Sequence, residues 1–162
     1  MLLEVTYYKT PIGTAKIAGD NDGIQSISIL NEDQKTDIPK TQIPACLLNC
    51  VTQLDEYFRG QRTVFELKLN PQGTPFQKKV WQKLRAIPFH KTWSYLEQSK
   101  DFGDVKAIRA VASANGKNPI WIVIPCHRVI ASNGSLIGYA GGIWRKKWLL
   151  AHENPVKQQS LF

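Results

Sequence analysis

Residues 94–115, SYLEQSKDFGDVKAIRAVASAN, read as two short helices joined by a tight turn. Ser94 to Lys100 suits a short helix, and Asp101-Phe102-Gly103-Asp104 is a polar, glycine-containing turn. Asp104 can then cap a second helix from Val105 to Asn115. That helix is dominated by small residues: Ala107, Ala110, Ala112, Ser113 and Ala114. Two short helices around such a turn form the pattern of a helix-turn-helix. An ordinary helical hairpin has the same pattern, and these residues alone do not separate the two.

The flanking sequence predicts the rest of a mostly helical unit. Asn70-Pro71-Gln72-Gly73 is a turn cluster and marks a domain boundary. Thr74 and Pro75 make a helix start, Phe76, Val80, Trp81 and Leu84 form one apolar face, and Pro88 stops the helix. Downstream, IWIVIP (120–125) reads as an apolar extended run broken by Pro125, followed by CHRVI and the glycine-rich SNGSLIGYAGG (132–142). A last helix, IWRKKWLLAHE (143–153), is expected to turn Ile143, Trp144, Trp148 and Leu149 inward.

Upstream, the period changes from helical to alternating. LEVTYY, GTAKIAG and GIQSISIL are β-rich, and Thr10-Pro11-Ile12-Gly13 and Asp20-Asn21-Asp22-Gly23 carry turn chemistry, so an antiparallel meander is predicted. Residues 31–43 read as a loop. A helix from Pro44 to about Phe58 follows, with a stripe of Leu47, Leu48, Val51, Leu54 and Phe58, ended by Gly60. VFELKL (64–69) can add a strand. The expected organisation is α/β: a small antiparallel-sheet domain over 1–72, a mostly helical domain over 73–155, and a flexible tail over 156–162.

Composition and charge narrow the function. The 162 residues, 43% hydrophobic and 10% aromatic, suit a globular protein with a core. The amino terminus lacks the basic start and cleavage site of a signal peptide, and no run is apolar enough to span a bilayer, so the expectation is a cytoplasmic protein without membrane contact. Residues 1–72 hold 7 Lys/Arg against 9 Asp/Glu, a net −2, whereas residues 73–162 hold 14 against 4, a net +10. A basic half joined to a slightly acidic one points to a polyanion, nucleic acid above all, although basic surfaces also serve solubility.

Three cysteines, an odd number, argue against a disulfide framework. Cys46 and Cys50 lie four apart in an apolar helical pattern and read as small buried hydrophobes. No CxxC pair or His-rich tract accompanies them, so neither metal nor cofactor is expected. Cys126 differs. It follows a proline and sits beside His127, Arg128 and a nearby helix start, a setting that favours thiolate. Adjacent side chains rarely face each other, however, so Pro-Cys-His-Arg alone also fits a buried structural thiol.

The wider context decides. GTPFQKKVWQKLRAIP, KAIRAVASANGKNP, IPCHRVI, GSLIGYAGG and KKWLLAHE together resemble the O6-alkylguanine-DNA alkyltransferases over essentially all of residues 73–153, and more loosely before that. The resemblance implies a ribonuclease-H-like sheet domain followed by a winged-helix-like domain with a helix-turn-helix. It implies DNA repair as a monomer, by a single, irreversible transfer of alkyl from O6-alkylguanine, and O4-alkylthymine, to Cys126. His127 would act as base through a water, oriented by Glu153, while Asn118 braces the active-site turn. Tyr95 would donate a hydrogen bond to the leaving purine and crowd the 3′ phosphate. Arg109 would fill the stack behind a flipped nucleotide, and Ala107, Ala110 and Ala112 would let the helix lie in the minor groove of double-stranded DNA. The pocket would be made by Trp121, Cys126, Val129, Tyr139, Ala140 and Gly141, with backbone groups reading the guanine edge. Trp121 departs from the proline often found there, and its bulk is expected to alter acceptance of O6-benzyl groups. Phe89-His90-Lys91 also departs from the usual turn.

The last residues, Gln158 to Phe162, resemble short peptides that dock on the sliding clamp, with Gln158, Leu161 and Phe162 as the contacts. A disordered tail is the plainer reading. The rival functions are a lesion-binding protein without chemistry and a cysteine hydrolase using Cys126, His127 and Glu153.

Overall fold

The computed structural model describes residues 2–31 and 42–154. Most of the loop expected at 31–43, and the tail with Gln158, Leu161 and Phe162, lie outside the described residues. The chain forms two compact units, Met1–Gln72 and Gly73–Phe162.

In the first unit, β1 (Glu4–Thr10), β2 (Gly13–Asp20) and β3 (Gly23–Ile29) form an antiparallel sheet in the order β1-β2-β3. Alternation alone explains the pairing, since it brings Ile17 opposite Ile27 with neither exposed. The helix α1 (Ala45–Phe58) covers the sheet and buries Leu47, Cys50, Gln53, Leu54 and Tyr57. This stripe is rotated from the expected one: Leu48 is exposed and Val51 and Phe58 are half-buried. The rotation follows from Tyr57 and Cys50, which are as apolar in packing as the residues they displace. Cys50 is buried enough for its thiol to be pushed up to about 12.

VFELKL does not become a strand. Only Leu69 bridges Ile24, in parallel, with Ile24 N donating to Lys68 O and Asn70 N to Ile24 O. Gly23 permits this approach, because a Cβ there would stand 2.9 Å from Lys68 O. The remainder is held by the Gln53 amide, which accepts from Glu66 N (2.9 Å) and donates to Glu66 O (3.1 Å). A buried side chain thus satisfies backbone groups that a neighbouring strand would otherwise pair.

The second unit begins with α2 (Pro75–Leu84), opened by a capping box between Thr74 and Gln77. Val80, Trp81 and Leu84 are buried, while Phe76 stays at the edge, edge-to-face with Phe102 at 5.1 Å. The helix-turn-helix is present: α3 (Tyr95–Phe102), a left-handed Gly103, the Asp104 cap, a 3₁₀ turn Val105–Ala107, and α4 (Ile108–Gly116). The second helix therefore starts tighter and ends one residue later than expected. Gln98 and Asn115 exchange two buried 2.7 Å hydrogen bonds that lock α3 to α4. Trp81 Nε1 donates to Ala114 O, tying α2 to the same helix.

Two short strands complete the unit. β4 (Trp93–Ser94) and β5 (Val129–Ile130) pair in parallel. β4 runs directly into Tyr95 and β5 directly follows Cys126–Arg128, so this pairing brings the start of α3 to the cysteine turn. The final helix, α5 (Ile143–Glu153), buries Arg145, Lys146, Leu149 and Glu153. Here the inward face differs from the expected one: Ile143 is 45% and Trp144 56% exposed, and Trp148 is half-buried. Charged side chains that find partners inside displace the apolar ones, which pure periodicity cannot anticipate. Among the described residues, no helix is long and apolar enough to cross a membrane.

Candidate active site

The run expected to be extended, IWIVIP, is instead a tight turn. Trp121 bridges Ile124, and Ile122 sits at φ 75°, a left-handed conformation that is costly for a β-branched residue. Asn118 holds it in place. Its Oδ1 accepts from Ile120 N at 2.9 Å, and its Nδ2 donates to Ile124 O at 2.8 Å and to Cys126 Sγ at 3.2 Å. One side chain thus shapes the turn and touches the sulfur.

Cys126 opens a 3₁₀ turn, Cys126–Arg128, and is 8% exposed. Burial pushes its thiol up; the Asn118 amide, the Lys146 ammonium and its own backbone N–H pull it down without cancelling that effect. At neutral pH the sulfur therefore needs a base.

His127 is fully buried, and its Nε2 lies 2.7 Å from Glu153 Oε2. Arg128 completes the cluster, with Nε donating to Glu153 Oε1 (2.7 Å), Nη2 to Oε2 (3.2 Å) and Nη1 to Ile87 O (2.7 Å). Burial raises the Glu153 carboxyl, but His127 and Arg128 outweigh it and hold the group far below the ordinary carboxylate range. An ionised Glu153 accepts the Nε2 proton, so the neutral His127 carries its lone pair on Nδ1. Burial keeps the ring neutral, lowering its pKa despite Glu153. Among the described residues, Nδ1 is the buried side-chain nitrogen that makes no hydrogen bond. It is free to accept a proton.

An open cleft of about 620 Å³ is lined by Tyr95, Arg109 and Ala112 of the helix-turn-helix and by Ile137, Gly138, Tyr139 and Ala140 of the glycine-rich segment. Tyr95 Oη donates to Ile137 O at 3.1 Å, so the hydroxyl expected to reach a purine is engaged with another residue of the lining. Burial, then the neighbouring Cys126, raise the pKa of both Tyr95 and Tyr139 and keep them phenolic. Ala107 is half-buried and Ala110 exposed. From the expected pocket, Tyr139 and Ala140 face the cleft, whereas Cys126, Trp121, Val129 and Gly141 are not among its wall residues. Val129 is taken into β5 and fully buried, and Trp121 packs on Tyr139 with ring centres 5.8 Å apart. His90 is exposed, in a left-handed turn at φ 56°. No group of three or more His, Cys, Asp or Glu able to hold a metal occurs among the described residues.

Sequence reading missed Lys146. It is fully buried, its Nζ donates to Ile137 O at 2.9 Å, and its charge acts on Cys126. The available signal was helical spacing: Lys146, Leu149 and Glu153 share the face that enters the site. From sequence Arg128 is only a neighbour of the cysteine; the structure makes it a partner of Glu153.

The residues 3–71 match the family model described as 6-O-methylguanine DNA methyltransferase, ribonuclease-like domain, and residues 75–155 match that of the DNA binding domain. A methylated-DNA–protein-cysteine methyltransferase of Methanosarcina acetivorans is 41% identical, covering 90% of this chain and 95% of its own. One from Mycolicibacterium paratuberculosis is 38% identical over 99% of this chain and 98% of its own. The solved structure of Mycobacterium tuberculosis OGT in complex with DNA superposes with a TM-score of 0.81 at 38% identity, covering 98% of this chain and 99% of its own. With both units matched and the buried Cys126-His127-Glu153 arrangement in place, the chain belongs to the 6-O-methylguanine DNA methyltransferase family.

Proposed function

We propose that this protein repairs DNA by moving the alkyl group of O6-alkylguanine, and of O4-alkylthymine, onto Cys126, once per molecule. The carrying observation is His127, bound at Nε2 to Glu153 and free at Nδ1, one residue from a buried thiol. Nδ1 takes the Cys126 proton through a water, and Glu153 stabilises the imidazolium that forms. The sulfur attacks the alkyl carbon, an S–C bond forms, and the C–O bond breaks with its electron pair returning to the base. Tyr95 leaves Ile137 O and donates to the purine, lowering the charge that develops there. A thioether has no ready route back to thiolate, so the molecule is consumed.

The lesion must leave the duplex to reach a thiol this buried. Arg109, exposed at the cleft edge, supports the reading that it fills the stack behind the flipped nucleotide. The small Ala107, Ala110 and Ala112 suit close approach of α4 to the minor groove. Three free cysteines suit a reducing compartment, and we place the protein in the cytoplasm.

The test is stoichiometry. Incubation with excess O6-methylguanine duplex should add one methyl mass to Cys126 and then stop, with none added to Cys126→Ser. Continued turnover indicates a hydrolase, and tight binding without modification indicates a lesion-binding protein; either outcome overturns the proposal.

A further inference from the structure

Two cations, Arg145 and Lys146, lie in the first turn of α5, where the helix dipole disfavours positive charge, and Lys147 follows them. Lys146 acts on Cys126. Arg145 is buried as well, 8% exposed, yet it points elsewhere. Its Nη1 donates to Gly141 O at 3.1 Å, and its guanidinium lies 4.6 Å over the Trp144 ring, which is itself 56% exposed. The indole thus covers the guanidinium from the solvent side, and a Cβ on Gly142 would stand 3.5 Å from its Cδ1.

Gly141 is the point on which this assembly bears. A Cβ there would stand 2.7 Å from Tyr139 Cε2 and 3.0 Å from Trp121 Cζ3, so the backbone lies directly against both rings. Tyr139 in turn is a wall of the cleft, and Cys126 lies near enough to add to the burial that raises its phenol. The rings have no room to spread while Gly141 stays where it is, and the Arg145 hydrogen bond holds it there.

We propose that Arg145, covered by Trp144, is a specificity-determining residue: by pinning Gly141 against Trp121 and Tyr139 it limits the size of the alkyl group accepted beside Cys126. The inference rests on the alkyl transfer proposed above. Arg145 is a positioning residue and does not touch the reacting atoms. Leucine at 145 keeps much of the bulk but cannot donate. Lysine keeps the charge and one donor but loses the planar fork that matches this site.

The experiment compares single-turnover transfer from O6-methylguanine and O6-benzylguanine, as free bases, to wild type, Arg145→Leu, Arg145→Lys and Trp144→Ala, with thermal melting to certify folding. Expected is a benzyl-to-methyl rate ratio raised about tenfold in Arg145→Leu, the discrimination that one or two methylenes of space carry. Trp144→Ala and Arg145→Lys should fall between it and wild type. A ratio unchanged within about twofold in the folded variants overturns the inference, whatever happens to the absolute rates, because loss of structure alone lowers both together. Should Arg145→Leu not fold, Trp144→Ala carries the same comparison. Absence of methyl transfer to wild-type Cys126 overturns the proposed function itself, and this inference with it.

Discussion

At the scale of single residues, the proposed chemistry turns on a thiol that burial disfavours ionising and on the next residue, a histidine that burial keeps neutral. Replacing His127 by phenylalanine should slow methyl transfer by about 10²–10⁴ at neutral pH, the usual worth of a positioned base. The loss should shrink as pH rises, since hydroxide then ionises a thiol whose pKa lies above its ordinary value. A pH–rate profile of both proteins checks this, and a pH-independent deficit would contradict the assignment of Nδ1 as base. Trp121 stands against Tyr139, and Trp121→Pro should raise benzyl relative to methyl transfer. Equal relative rates in wild type and variant would show that the indole does not shape the rim.

At the scale of elements, the helix-turn-helix is a rigid mount. Asn115→Ala leaves the buried Gln98 amide without its partner and should cost about 1–3 kcal/mol, measured by denaturant unfolding. A loss below the error of the measurement would mean that the two amides do not couple α3 to α4. Arg109→Ala removes an exposed side chain at the cleft edge. It should slow repair of duplex DNA by roughly tenfold or more while leaving transfer from free O6-methylguanine within about twofold, because base flipping is needed only in the stack. Equal slowing of both reactions would place Arg109 in the chemistry instead.

At the scale of the whole molecule, buried ionisable groups set the acid limit. Glu153 is held far below its ordinary 4.5 when folded, so it contributes stability above about that pH, and this is lost progressively as pH falls below it. His127 acts in the same direction from its ordinary 6.5 downward, because the unfolded ring takes up a proton that the folded ring refuses. Glu153→Gln should cost about 3–5 kcal/mol at neutral pH by leaving Arg128 unpaired, and should flatten the acid branch of the stability–pH curve. An unchanged acid branch would mean that other groups govern acid unfolding.

Much of this was legible in sequence. The meander, the cap at Thr74, the Gly103 turn and the charge contrast between −2 and +10 are local or compositional, and local rules read them. The resemblance carried by PCHR and LLAHE pointed to Cys126, His127 and Glu153, and the structure joins the last two at 2.7 Å. What only tertiary structure decided was which polar groups are satisfied inside. Lys146 and Arg145 turn inward because the carbonyls of Ile137 and Gly141 await them. IWIVIP curls because the Asn118 amide satisfies its backbone. Hydrophobic periodicity ranks residues by transfer from water, and a charge with a partner at hydrogen-bond distance escapes that ranking. Such a partner is defined by three-dimensional approach, which no spacing along the chain records.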